Sequence, residues 1–534
     1  MGSTVTDGFV NEPFTDFSNE ANRSAMKTAL AKARERLGGD YPLVIGGDKV
    51  MTDDKIASIN PGDPDEIVGR VSKASVELVE RAMNAALSAF ESWKRTPADR
   101  RARYLLDAAE ALRRRKHEFS ACMVLEAGKN WPEADADTAE AIDFLEFYAR
   151  EMIRLSRINE IRPLTKVSGE TNELSYIPLG VGAVIPPWNF PLAILAGMTS
   201  AAIVCGNTVL LKPASPTCVV AYKFAELMEE AGVPAGVINF VPGVGAEIGD
   251  YMTSHPRTRF VNFTGSKEVG LRINRIASRT AEGQIWIKRV VAEMGGKDGI
   301  VVDETADLDQ AADAIVVSAF GYQGQKCSAG SRAVVVRSVY DQVVAKVAER
   351  TRKLEIGPPE HNFSIGPVID RRSYDRILKY IEIGKSEGRL IVGGGKAEGK
   401  GFYIQPTVFA DVGPKARIMQ EEIFGPVLAM AAAEDWKEAI DIYNDTEFGL
   451  TGSFFSRDEE RIACALETMH CGNLYVNRKC TGALVGAHPF GGFNMSGTDS
   501  KAGGYDYLLQ FSQAKLISRK NGVIKRAGSR SSSC

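Results

Sequence analysis

Several things are missing from this 534-residue chain, and each absence narrows what it can be. There is no excess of charge of either sign. The formal net charge is -3 and the isoelectric point lies near 6.1, so a nucleic-acid partner, which needs a basic face, is not expected. No Cys-x-x-Cys occurs among the eight cysteines and their spacing is irregular, which excludes a disulfide framework or a structural zinc site and fits reduced thiols in a cytoplasm. The five histidines show no metal-ligand spacing and no link to a cysteine, so no metal and no Cys–His hydrolase is expected. Met1 to Asn19 carries acids and no apolar core, unlike a signal peptide. No internal repeat is present. The charge-free run from Leu174 to Leu211 has the length of a membrane span, but Pro186, Pro187, Pro191, Gly197 and Gly206 interrupt it, so no membrane partner is expected.

What is there reads as a globular α/β protein. Hydrophobic residues make up 44% and charged residues 25%, and the length calls for two or three domains. Glu77–Ala89, Ala98–Phe119 and Ala136–Leu155 have apolar residues at helical spacing, which predicts an N-terminal helical layer. Short β-rich runs follow at 181–185, 209–211, 237–240 and 260–263, separated by helical patterns at 217–231, 246–253 and 267–279. Such alternation predicts a doubly wound parallel sheet. A second series begins after Val290, with strands at 299–302 and 333–336 and helices at 308–320 and 340–354. The Lys-, Arg- and Ser-rich stretch 518–534 reads as a loose tail.

Two residues carry the chemistry. Glu293 lies in Glu-Met-Gly-Gly-Lys (293–297) and Cys327 in Gly-Gln-Lys-Cys-Ser (324–328). A thiol can add to a carbonyl carbon, and a carboxylate can prime water to cut the resulting thioester. Gly324, Ser328, Ala329 and Gly330 leave Cys327 room, and Lys326 gives it a positive neighbour of the kind that lowers a thiol pKa. Gly243-x-Gly245-x-x-x-Gly249 follows a strand and opens a helix, where free amides suit a phosphate, although a plain strand-to-helix turn reads equally well. Ser266 is either a second phosphate contact or a helix cap. Lys212, ending a charge-free strand, is either a cofactor contact or a solvated strand-end lysine.

Six ordered segments together resemble the aldehyde dehydrogenase superfamily over nearly the whole chain. They are Pro-Trp-Asn-Phe-Pro (187–191), Lys-Pro-Ala (212–214), Phe-Thr-Gly-Ser (263–266), Glu-x-Gly-Gly-Lys (293–297), the Cys327 segment and Glu-Glu-Ile-Phe-Gly-Pro (421–426). The resemblance implies an aldehyde dehydrogenase-like fold, with a Rossmann-like nucleotide-binding domain, an α/β catalytic domain and a small β extension for oligomerisation. It places the helical part of the nucleotide domain at 1–153, the extension at 154–175 with 509–524, the nucleotide core at 176–290 and the catalytic domain at 291–480. The stretch 481–534 would hold a substrate anchor loop and an oligomerisation strand. It implies Cys327 as nucleophile, Glu293 as general base, and Asn189 with the Cys327 amide as oxyanion hole. Pro187, Trp188, Lys212, Ser215, Gly245, Gly265, Ser266, Glu422 and Phe424 fall on cofactor-contacting positions, with Lys212 and Glu422 at the two riboses. The cofactor implied is NAD. NADP is tolerated in this reading, because Ser215 stands where many relatives carry a glutamate that repels a 2′-phosphate.

Within the superfamily, Asn11-Glu-Pro-Phe, the stretch 133–144 and Phe490–Gly504 most resemble the branch that oxidises L-glutamate γ-semialdehyde to glutamate in proline catabolism. For that branch the amides of Gly503 and Gly504, with the Ser328 hydroxyl, would hold the substrate's carboxylate in an amide nest. Glu140 would face the ammonium group, a solvated helical glutamate being the alternative. A homo-oligomer built from dimers is implied. Another semialdehyde dehydrogenase of the same superfamily is the competing reading.

Overall fold

The computed structural model describes residues 8–521. Two seven-stranded sheets organise them. In the first, the strands run in the order Arg289–Glu293, Thr258–Thr264, Val181–Ile185, Thr208–Leu211, Ile238–Phe240, Leu43–Ile45, Asp48–Val50. The first five are parallel; Leu43–Ile45 runs antiparallel to them, and Asp48–Val50 pairs antiparallel with it. The inner strands are Val-Gly-Ala-Val-Ile and Thr-Val-Leu-Leu, almost wholly buried, as a sheet covered on both faces requires. Gly182 is needed where it stands, because a Cβ there would fall on the Phe260 ring of the neighbouring strand.

The second sheet runs Arg389–Val392, Thr407–Ala410, Val427–Ala433, Arg332–Val336, Gly299–Val302, Thr451–Phe455, Asn473–Val476, parallel except at its first strand. A two-stranded antiparallel ribbon pairs Glu170–Pro178 with Ser512–Lys520.

Four expectations about elements need correction. The N-terminal part is not purely helical: Leu43–Ile45 and Asp48–Val50 complete the first sheet, and Gly39–Tyr41, Lys55–Asn60 and Asp63–Ser72 form a third. Several of these strands have only three residues, too few to show a period of two. The helix expected over Ala98–Phe119 breaks at Arg115 into Ala98–Arg114 and Lys116–Ala127. The ribbon begins at Glu170 rather than near Arg154, because the Trp131–Ser156 helix and a short turn of helix, Ile158–Ile161, occupy the stretch between. Ser518–Lys520 belongs to the ribbon, not to a tail; the rest of that expected tail, 522–534, lies outside the described residues.

Candidate active site

Glu293 is the last residue of its strand, at the carboxyl end of the first sheet. Asn189 lies in the turn after the Val181–Ile185 strand, at the same end. That is where open α/β sheets bind ligands. Cys327 comes from the other half of the molecule, in the loop between the Leu308–Phe320 helix and the Arg332–Val336 strand. Just before it, Tyr322 and Gln323 adopt the left-handed conformation, with φ of 50° and 56°.

Two contacts join these parts. The Asn189 side-chain amide donates to the Gln325 carbonyl at 3.0 Å, two residues before the thiol. The Glu-x-Gly-Gly segment passes against the same loop: a Cβ on Gly296 would stand 2.7 Å from the Cys327 carbonyl oxygen. Glycine is therefore required at 296 by close approach. Gly295 likewise admits the Glu422 carboxylate, which accepts from the Gly296 amide at 3.2 Å. The Trp188 and Phe424 rings meet edge to face, with centroids 5.4 Å apart. Phe424 holds a φ of 57°, a strained setting for a bulky residue.

Burial tunes the ionisable groups. Glu293 accepts from Ser500 Oγ at 2.7 Å and from the Gly492 amide at 3.3 Å. Those bonds favour its charged form, but burial outweighs them and pushes its pKa up to about 8. Cys327 keeps part of its surface open. Its thiol is nevertheless pushed up, first by desolvation and then by the carboxylates of Asp298, Glu422 and Glu293. This corrects the expected positive surroundings: Lys326 is paired with Glu133 at 2.9 Å and does not figure among the causes. Glu140 is raised to about 8 by burial and by the nearby Asp137 and Asp143. It has no hydrogen-bond or ion-pair partner among the described residues.

On the cofactor side, Lys212 is buried and its Nζ reaches only the Pro213 carbonyl, at 3.3 Å, so burial lowers its pKa. Glu422 is raised to about 7, again by burial. Pro187 is buried and Ser215 opens a 3₁₀ turn. Gly245 is exposed, with open space where a Cβ would be. The Gly265 amide donates to the Glu293 carbonyl at 3.0 Å, and Ser266 caps the Lys267–Ala277 helix. A buried ammonium and a half-buried acid, neither fully partnered, suit the hydroxyls of a dinucleotide.

The substrate side departs from expectation. The Gly503 amide donates to Tyr148 Oη at 2.8 Å and the Gly504 amide to the Lys501 carbonyl at 3.0 Å. Neither is free to hold an anion. Instead, the Cys480 thiol donates to the Ser328 carbonyl at 3.6 Å. After it, the amides of Thr481, Gly482 and Ala483 meet no acceptor among the described residues. Gly482 has φ 78°. The sequence reading also missed Ser500 and Gly492, the donors to Glu293, although both lie inside the 490–504 segment it had singled out.

A cavity of about 490 Å³ lies elsewhere, beneath the N-terminal Glu20–Arg34 helix. Three cations on its wall, Arg36, Arg115 and Lys223, already pair with Glu118. No cluster of metal-ligating side chains occurs among the described residues, and none of their helices is long and apolar enough to cross a membrane.

Known proteins resemble this chain. The sequence profile of the aldehyde dehydrogenase family covers residues 49–517. A 1-pyrroline-5-carboxylate dehydrogenase of Geobacillus sp. (strain WCH70) is 61% identical over 511 residues, 96% of this chain and 99% of that one. The counterpart in Bacillus cytotoxicus is 57% identical over 513 residues, again 96% and 99% of the two chains. Among solved structures, 1-pyrroline-5-carboxylate dehydrogenase from Thermus with bound NAD superposes with a TM-score of 0.95 at 51% identity, covering 97% of this chain and all of that one.

Proposed function

Because the chain belongs to the aldehyde dehydrogenase family, we propose that it oxidises L-glutamate γ-semialdehyde, the open form of 1-pyrroline-5-carboxylate, to L-glutamate with NAD. The observation that carries this reading is the contact of the Asn189 amide with the Gln325 carbonyl, two residues before Cys327, with the Glu293 carboxylate near enough to push the Cys327 thiol up. The 61% identity to a 1-pyrroline-5-carboxylate dehydrogenase supports it.

NAD, when bound, supplies the acceptor for the substrate's hydride. Lys212 and Glu422 hold its riboses, Trp188 and Phe424 bound its pocket, and Pro187, Ser215, Gly245, Gly265 and Ser266 line it. Cys327 gives up its thiol proton to solvent and attacks the aldehyde carbon, the C–S bond forming as the carbonyl π pair moves onto oxygen; loss of the aldehyde hydrogen as hydride then re-forms the carbonyl as a thioester. The Asn189 side chain and the Cys327 amide stabilise the oxyanion, which needs the donors aimed at where charge develops. Glu293 then takes a proton from water, which adds to the thioester and releases the carboxylic acid while the thiol recovers its proton. The Ser328 hydroxyl and the free amides of Thr481–Ala483 seat the substrate's carboxylate, and Glu140 faces its ammonium.

Homo-oligomers form through the ribbon, and the seven free cysteines among the described residues suit a reducing cytoplasm. The test is cofactor reduction with pyrroline-5-carboxylate, succinic semialdehyde and betaine aldehyde in parallel. The amino-dicarboxylic substrate is expected to have the highest kcat/KM, and Glu140→Gln to raise KM for it but not for succinic semialdehyde. Equal use of the three aldehydes would leave a general semialdehyde dehydrogenase.

A further inference from the structure

One buried ammonium serves no role given so far. Lys129 follows Gly128, the left-handed residue (φ 67°) that ends the Lys116–Ala127 helix, and it is wholly inaccessible. Its Nζ lies 3.1 Å from Asp137, at an angle that makes no hydrogen bond with any described residue. The same Nζ lies 4.2 Å from the ring centroid of Phe190 and 4.2 Å from that of Tyr322. A buried charge needs compensation; here one carboxylate and two π faces provide it.

Those two rings belong to the two catalytic loops. Phe190 directly follows Asn189. Tyr322 is the first of the two left-handed residues ahead of Cys327. Further bonds come from the same corner. Tyr322 Oη donates to the Ala127 carbonyl at 2.9 Å and Gln323 Nε2 to the Gly128 carbonyl at 3.3 Å. The other oxygen of Asp137 accepts from the Ala193 amide at 2.6 Å, at the head of the helix that follows the Asn189 turn. The corner between two helices thus grips both loops, and the Lys129 ammonium faces an aromatic ring of each.

We propose that Lys129 is a positioning residue: its ammonium, set against the rings of Phe190 and Tyr322 and balanced by Asp137, holds the Asn189 turn and the Cys327 loop in register. The Asn189–Gln325 contact is the local product of that register. The inference rests on the reading of Asn189 and Cys327 as oxyanion donor and nucleophile, and goes beyond it by naming what aligns them.

The test removes both charges together, Lys129→Met with Asp137→Asn, so that no lone ion is left buried. Two readouts are taken: the pre-steady-state burst of reduced NAD, and hydrolysis of p-nitrophenyl acetate by the cofactor-free protein. The ester acylates the thiol, releases p-nitrophenol and is cleared by water, so it reads the alignment even if the natural aldehyde is another one. A folded variant with unchanged NAD affinity is expected to lose about 10²-fold in both, the usual cost of an ångström of misplacement. The loss should be non-additive with that of Asn189→Ala, since coupled residues act through one contact. Phe190→Leu, which keeps the Lys129–Asp137 pair, should show the same two losses and decides the matter if the charge-free variant does not fold. Wild-type rates in either folded variant, or losses that simply multiply with that of Asn189→Ala, would overturn the proposal.

Discussion

At the scale of single residues, the carboxyl of Glu293 determines the pH response. Its pKa near 8 comes from burial, against the pull of Ser500 and Gly492. A base must be deprotonated to act, so thioester hydrolysis should rise about tenfold per pH unit below 8 and level off above it. A turnover profile flat from pH 6 to 9 would remove Glu293 from the deacylation step. Glu293→Ala should still give a burst of reduced NAD but turn over poorly, because the residue acts after the thiol has been acylated. Asn189→Ala should fold normally and slow the burst itself by roughly 10²–10³, as expected for one lost oxyanion donor. At Ser215, with no carboxylate to repel a 2′-phosphate, kcat/KM should favour NAD over NADP by less than about 10³, or ~4 kcal/mol; a larger ratio would show that something else rejects the phosphate. Cys327, Glu293 and Asn189 could be singled out as candidates from the sequence because each sits in a short segment rich in glycine or proline. Gly503 and Gly504 were misread for an equally physical reason. Whether an amide is free depends on its acceptor, and the acceptor of Gly503 is Tyr148, 355 residues away. Lys326 was misread in the same way, since Glu133 lies 193 residues off.

At the scale of elements, the parallel strands showed in the sequence as unbroken apolar runs, and their helices through periodicity. The three-residue strands near the N-terminus carried no such pattern; pairing with Ile238–Phe240 and Asp63–Ser72 makes them strands. One helix depends on a distant side chain. The Cys218–Glu230 helix has no capping side chain of its own, and the buried Glu126 accepts from its Val219 and Val220 amides at 2.7 and 2.9 Å. Ser58 Oγ adds a third bond at 2.7 Å. Glu126→Ala should leave these donors unsatisfied and destabilise the fold by about 2–4 kcal/mol, read as a lower denaturation midpoint. An unchanged midpoint would mean that water replaces the carboxylate.

At the scale of the whole molecule, the second strand of the ribbon stands exposed from Ala514 to Lys520. Leu516 and Ile517 are exposed on it, where a subunit contact would cover them. Leu516→Asp with Ile517→Asp should therefore shift sedimentation towards the monomer while leaving the melting of each subunit intact; an unchanged oligomer would place the subunit contact elsewhere. The ribbon also has a consequence for how the chain is made. Its two strands are 335 residues apart along the chain at the Gln513–Pro178 contact. At about 5–20 residues per second, the first strand leaves the ribosome roughly 15–70 s before its mate exists. For that interval a nascent chain displays an unmatched backbone edge, and a chaperone that shields extended segments would find its docking point at residues 170–178.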